Sequence, residues 1–586
     1  MRLSLLIPFL LLCFSMQAQR FSRVKIHLDE THTIQNLAHL GLDVEHGHFQ
    51  PGKYFTGEFS DAELAQIQAA GFSTQTLVED LQARLLELNR QGASAELRSL
   101  PPCPAGATTE VQTPANYTYG TMGGYFKYQE MLDILDSMAT KFPHIFREKQ
   151  AMSDTLTTIE GRPVYWVKIS DNPNDDEAGE PEIFFNAVHH AREPNSMSQM
   201  IFFMWHLLEN YETDPEVKFL VDNTEIYLAP CVNPDGYIYN ETTNPDGGGF
   251  WRKNRRLNAD GSFGVDLNRN YGYQWGLDDN GSSPNPNSQT YRGDAPFSEP
   301  ETQMIRDFCV AHQFLMCFSY HTYSNLLLHS WDYDFLTTPD HATFEAFSQL
   351  MTQENKYVHG ASGFVLYLVN GGSNDWMYGE TTIKNKILGF VPEVGPGSTG
   401  FWPPQSDIDK LNKDAFSINI NALRLLHNYG LATPAAGQFL QNLQEELFFS
   451  LKKMGLAPGA LTVSLTPLSG NVASVGQAKV FNLSNLEETA DAFEFSLDPA
   501  IQNGDTVIFE LAVDNGDFAW WQKVVRIFST KLDEMLFDPA DDLSHWASAT
   551  NWATTTEDYF SAPSSILTGL FAFKNAPISS HNFIHL

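Results

Sequence analysis

The chain has 586 residues and a formal net charge of −35, enough length for several domains and a composition typical of folded, core-forming proteins. So strong a negative balance excludes nucleic acid and anionic membrane as partners, and it suits a soluble protein that attracts cationic peptides. Five cysteines in so long a chain are too few for a disulfide framework. One bridge among Cys103, Cys231, Cys309 and Cys317 is permitted and none is required.

In chain order, Met1-Arg2-Leu3-Ser4 precedes a mostly apolar run over 5–14 that ends near Ala18. Residues 1–18 therefore read as a signal peptide, and the protein is expected to be secreted. No later stretch is long and apolar enough to span a bilayer. Over 19–98 short apolar clusters alternate with polar ones, and 61–88 shows helical spacing. His46 and His48, in Val44-Glu45-His46-Gly47-His48, lie far upstream of the other candidate ligands and are left out of the site. Leu100-Pro101-Pro102-Cys103-Pro104 and a Thr- and Ala-rich run to Ala115 form a linker, placed at 99–118 and open to proteolysis.

Tyr128, Met131, Leu132, Leu135 and Met138 mark an amphipathic helix stopped by Pro143. The runs 183–188, 225–229, 314–320 and 387–391 read as strands, and helical patterns between them imply an α/β core with a largely buried sheet. His190 and Glu193 stand in the turn that leaves the first of these strands, ahead of a second largely apolar run over 196–208. A histidine and a carboxylate so placed can converge on one metal ion. A catalytic zinc usually takes three protein side chains and keeps a position for water. His321, which ends the run 314–320 and lies 128 residues after Glu193, is the best third ligand, because open α/β sheets gather ligands at strand ends. His189, beside the first ligand, reads as structural.

Beyond about Pro458 the texture changes. Strand-like runs at 460–465, 478–482, 492–497 and 507–513 are followed by the hairpin signal Asp514-Asn515-Gly516 and a further run over 520–528. These predict a small β-sandwich module over 458–530 with no chemistry of its own. Residues 536–586, with Trp546, Trp552 and a Ser- and Thr-rich stretch, look like an incomplete β module, too short to close a core.

Four further stretches accompany the ligands. Phe250-Trp251-Arg252-Lys253-Asn254-Arg255 follows Asn233-Pro234-Asp235-Gly236, and Gly264-Val265-Asp266-Leu267-Asn268-Arg269-Asn270 comes next. Tyr367 precedes Gly371-Gly372-Ser373-Asn374-Asp375-Trp376, and Phe390-Val391-Pro392-Glu393 closes the series. In this order they resemble the zinc carboxypeptidases related to pancreatic carboxypeptidases A and B, over 119–430. The resemblance implies a mixed sheet flanked by helices, one Zn2+ per catalytic domain, and substrates that are peptides or proteins with a free C-terminus. It makes His190, Glu193 and His321 the metal ligands, and Glu393 the base that takes a proton from the metal-activated water. Arg252 then stabilises the oxyanion, and Asn268, Arg269 and Tyr367 clamp the terminal carboxylate. Arg192 matches a secondary subsite arginine, Asp266 matches the aspartate that orients the first histidine, and 19–98 sits where family members carry a propeptide. Asn374 falls at the pocket floor, and Asp332 stands where A-type enzymes carry glycine, which implies a preference for basic terminal residues. Two other readings stay open: a cell-wall peptide endopeptidase or amidase of the same fold, and a zinc-binding protein without catalysis.

Overall fold

A computed structural model describes residues 20–44, 46–95 and 111–530 and the short strands Trp552–Thr555 and Ser565–Thr568. The expected signal peptide, most of the linker and most of the expected module at 536–586 lie outside these residues. Among the described residues no helix is long and apolar enough to cross a membrane.

The N-terminal unit is a four-stranded antiparallel sheet in the order His48–Gln50, Tyr54–Ser60, Phe21–His27, Thr74–Val78. Val24, Ile26, Phe55 and Phe59 from the sheet pack with Ile34 and Leu37 of the helix Ile34–His39 and Ile67 of the helix Asp61–Ala69. The continuous helical span expected over 61–88 is instead two helices, Asp61–Ala69 and Leu81–Ala95, with the strand Thr74–Val78 between them. Gly71, at φ 91°, takes the left-handed conformation that ends helices, and the residues after it pair with Phe21–His27.

The largest sheet has eight strands in the order Val358–Ala361, Leu326–His329, Leu388–Glu393, Phe314–Tyr320, Glu182–Ala187, Glu225–Ala229, Tyr165–Ile169, Gln150–Ala151. It is mixed: Leu388–Glu393, Phe314–Tyr320, Glu182–Ala187 and Glu225–Ala229 run parallel, Leu326–His329 pairs antiparallel with Leu388–Glu393 and parallel with Val358–Ala361, and Tyr165–Ile169 pairs antiparallel with both its neighbours. Alternate side chains go to opposite layers. Phe185, Phe318 and Phe390 share a core with the helices Pro194–Asn210 and Gln405–Leu426, whereas Phe184, Cys317 and Ile387 pack with Ile305 and Phe308 of the helix Pro300–Ala311. The amphipathic helix falls at Tyr128–Lys141 with Tyr128, Met131, Leu135 and Met138 buried.

Two further sheets form a sandwich. One orders Gly430–Pro434, Gln444–Lys453, Glu488–Leu497 and Val472–Val475; the other orders Phe439–Leu440, Ala519–Phe528, Thr506–Asp514, Leu461–Pro467 and Lys479–Phe481. Residues 431–457, which the sequence pattern assigns to no unit, thus supply strands to both. Asp514 pairs with Ala519 across the Asn515-Gly516 turn, with Gly516 at φ 103°, a conformation suited to glycine. Trp520 anchors the sandwich to the α/β core, donating from Nε1 to Glu216 Oε1 at 2.7 Å and meeting Phe219 edge-on.

Candidate functional site

The site forms where three neighbouring parallel strands end. Glu182–Ala187 lies beside Phe314–Tyr320, with Ala187 opposite Tyr320, and His321 is bridged to Glu393 at the end of the third strand. After Ala187 the chain leaves the sheet through Val188, whose φ of 58° is strained for a β-branched residue. That turn delivers His190 and Glu193, and Pro194 then starts the next helix at a position where its missing N–H costs nothing.

Three side chains converge. His190 Nδ1 is 2.8 Å from Glu193 Oε1, His321 Nδ1 is 2.9 Å from Glu193 Oε2, and the two histidine Nδ1 atoms face each other across 3.0 Å. Two imidazole nitrogens and a carboxylate aimed at one point, fully buried, suit a shared cation, and a two-histidine, one-carboxylate donor set fits zinc. Asp266 Oδ1 takes the far nitrogen of His190, Nε2, at 3.1 Å, which fixes the ring so that Nδ1 faces inward. Burial opposes charge on Asp266, yet Arg252, His190 and Arg269 hold its carboxyl well below the usual range. His189 has both ring nitrogens engaged elsewhere, with Tyr271 Oη at 2.7 Å and Ser319 Oγ at 3.1 Å, and is structural.

Glu393 is buried beside this group, and neither carboxylate oxygen has a hydrogen-bond partner. Burial raises its pKa to about 7, with Glu193 adding to the effect and His46 and His321 opposing it. Arg252 donates from Nε and Nη2 to Asp266 Oδ2 at 3.2 and 2.8 Å, which presents the rest of its guanidinium to the cleft. Arg269 donates from Nη2 to Tyr367 Oη at 3.0 Å, while Asn268 Oδ1 accepts from the Ser373 amide at 2.9 Å. Asp332 and Asn374 meet: Asn374 Nδ2 donates to Asp332 Oδ1 at 2.9 Å. Asp332 is only 4% exposed, so it is no surface acid. A Cβ on Gly372 would stand 3.1 Å from Asp332 Oδ2 and 3.5 Å from Asn374 Oδ1, so a larger residue there would crowd both oxygens. Asp375 beneath them accepts from the Asp332 amide, and burial together with the Asp332 charge pushes its pKa well up.

Two residues of the N-terminal unit enter the cleft unanticipated. Asp43 accepts from Arg192 Nη2, from Arg252 Nη1 at 3.5 Å and from His46 Nδ1 at 2.7 Å. His46 Nε2 stands 3.3 Å from Glu193 Oε1 and 3.6 Å from Glu393 Oε2, and its ligand atom lies within 4.8 Å of those of His190, Glu193 and His321. The expectation that His46 lies outside the site is therefore corrected, whereas His48 is exposed and turned toward Tyr54. The sequence signal was a run of acid and histidine, Asp43 to His48, interrupting the apolar clusters of 19–98.

Comparison with known proteins matches this architecture. The family model described as zinc carboxypeptidase, peptidase family M14, covers residues 131–418. Carboxypeptidase A1 of Mus musculus is 30% identical over 353 residues, which are 59% of this chain and 76% of the relative. The chain belongs to the zinc carboxypeptidase family. Its members are peptide hydrolases that use zinc, and the buried histidine and glutamate group provides a place for that ion. Carboxypeptidase A1 of Sus scrofa is 29% identical over 388 residues, 64% of this chain and 85% of the relative. The crystal structure of a carboxypeptidase A from Helicoverpa armigera shares the carboxypeptidase fold, with a TM-score of 0.54 at 22% identity, covering 69% of this chain and 97% of that one.

Proposed function

We propose that this zinc carboxypeptidase removes single residues from peptide C-termini with His190, Glu193 and His321 holding the metal. The observation that carries the reading is the convergence of two histidine Nδ1 atoms and both Glu193 oxygens beside a buried Glu393 whose oxygens make no hydrogen bond. Zinc bound there supplies Lewis acidity, polarising a peptide carbonyl and acidifying water to a pKa of about 7. Glu393, a buried carboxylate beside the candidate ligands, is placed to collect a proton from the activated water and return it to the leaving amine. Arg252, a permanent cation steadied by Asp266, faces the charge that develops on the carbonyl oxygen. Asn268, Arg269 and Tyr367 hold the terminal carboxylate, Arg269 by its planar fork, and Arg192 serves the neighbouring subsite. This clamp favours carboxypeptidase action over cleavage of internal or cell-wall peptide bonds.

The finer reading has three further parts. A buried Asp332 paired with Asn374 favours substrates ending in Lys or Arg. The apolar segment ahead of Ala18 favours export. The N-terminal unit, whose Asp43 and His46 fill the cleft, favours a latent chain activated by cleavage in the 99–118 linker.

The test is Glu393→Gln in the linker-cleaved protein. It is expected to leave zinc bound at one ion per chain while kcat falls by at least about a hundredfold. Near-normal turnover would show that another group is the base.

A further inference from the structure

Within the N-terminal unit, His46 is built as a metal ligand is built. Its Nδ1 is 2.7 Å from Asp43 Oδ2, and a carboxylate there takes the N–H and leaves the lone pair on Nε2, as Asp266 does for His190 from the opposite nitrogen. Asp43 is in turn fixed by Arg192 and Arg252. The ring is clamped by Phe401 at 5.0 Å and Tyr323 at 6.0 Å and lies edge-on to His190 at 5.8 Å. The next residue, Gly47, admits no side chain, since a Cβ would fall 2.4 Å from the Thr56 carbonyl oxygen. His46 is thereby held still.

The free end of the ring points into the group formed by the other candidate ligands. Nε2 is fully buried and makes no hydrogen bond, although carboxylate oxygens of Glu193 and Glu393 stand 3.3 and 3.6 Å away. Two carboxylates facing one ring nitrogen in a dry pocket favour a positive charge there, a proton on Nε2 or a metal ion bound by it. With Nε2, the ligand atoms of His190, Glu193 and His321 all lie within 4.8 Å of one another, a buried four-donor group of the kind that holds zinc.

We propose that His46 is a fourth protein ligand to the zinc ion in the uncleaved chain, occupying through Nε2 the position that catalysis needs for water. The inference rests on His190, Glu193 and His321 being the other three ligands. Latency then operates at the metal as well as by covering the cleft. Structural zinc sites are closed by four protein ligands and catalytic ones keep an open position, so the uncleaved chain holds its zinc in the closed form. Activation is a ligand exchange in which the His46 nitrogen leaves and water enters, with no change in oxidation state.

The experiment is X-ray absorption spectroscopy on the full, uncleaved chain loaded with one zinc, wild type against His46→Ala, with His46→Gln as a second variant should the alanine protein fail to fold. Three imidazoles per zinc are expected in the wild type and two in either variant. Transfer of zinc to a chelator is expected to quicken by at least about tenfold in the variants, since loss of even an outer-shell partner weakens metal sites on that scale. Two imidazoles in the wild-type chain, or three retained in the variants, would overturn the proposal while leaving the three-ligand reading intact. A folded chain that binds no zinc would overturn both.

Discussion

Two buried carboxylates, Asp332 and Glu301, differ in what they meet. Asp332 is buried, bonded to Asn374 and bordered by the bare Gly372, so a cationic terminus meeting it gains a charge-assisted hydrogen bond of roughly 1.5 to 3 kcal/mol. Asp332→Gly is expected to lower the ratio of kcat/KM for Arg-ended over Phe-ended peptides by roughly 10- to 100-fold. A wild-type preference for Phe, or an unchanged ratio, would refute the assignment. Glu301 is a liability at high pH. Burial first, and the charge of Glu299 second, raise its pKa from 4.5 to about 8. The folded state therefore keeps a proton that the unfolded chain releases above about 4.5. That contribution to stability is fully present below pH 4.5 and is lost as pH rises through about 8. Glu301→Gln is expected to raise the Tm relative to wild type at pH 9 and to leave it nearly unchanged at pH 4.5. Parallel Tm profiles for the two proteins would contradict this.

At the scale of elements, the chemistry rests on the register of three parallel strands. Phe318 stacks between Phe185 at 5.3 Å and Phe390 at 5.0 Å, one ring from each strand that ends at the site. Phe318→Ala is expected to cost about 3 to 5 kcal/mol in denaturant unfolding of the α/β core; a loss under about 1 kcal/mol would mean that the aromatic row does not brace the site. Such strands are legible in sequence because burial on both faces makes them continuous apolar runs: Glu225–Ala229 and Phe314–Tyr320 fall where the pattern puts them. The later sandwich strands, Leu461–Pro467, Lys479–Phe481, Glu488–Leu497, Thr506–Asp514 and Ala519–Phe528, show through alternation and the Asn515-Gly516 turn, whereas Gly430–Pro434, Phe439–Leu440, Gln444–Lys453 and Val472–Val475 do not. The edge strands Gln150–Ala151 and Val358–Ala361 are too short and polar to stand out. The division of 61–88 was hidden because Thr74–Val78 carries few apolar residues and gains its identity only by pairing with Phe21–His27.

Across the whole molecule, the candidate ligands, Glu393, Arg252 and the Asn268, Arg269 and Tyr367 group were legible because their motifs are local and ordered along the chain. His46 was not, because its approach to His321 depends on how the N-terminal unit docks, and no local pattern encodes a contact across 275 residues. Under the latency proposed above, docking is what withholds the candidate catalytic groups: Asp43 and His46 reach into the cleft beside them. The central claim is that this cleft, once uncovered, acts on a free C-terminus. The most direct measurement is release of free amino acid from an Arg-ended peptide and from its C-terminally amidated twin, by the full chain and by the chain cut between 100 and 115. The account predicts release from the free peptide alone, faster after the cut. Equal release from the amidated twin, or equal rates before and after cleavage, would contradict it.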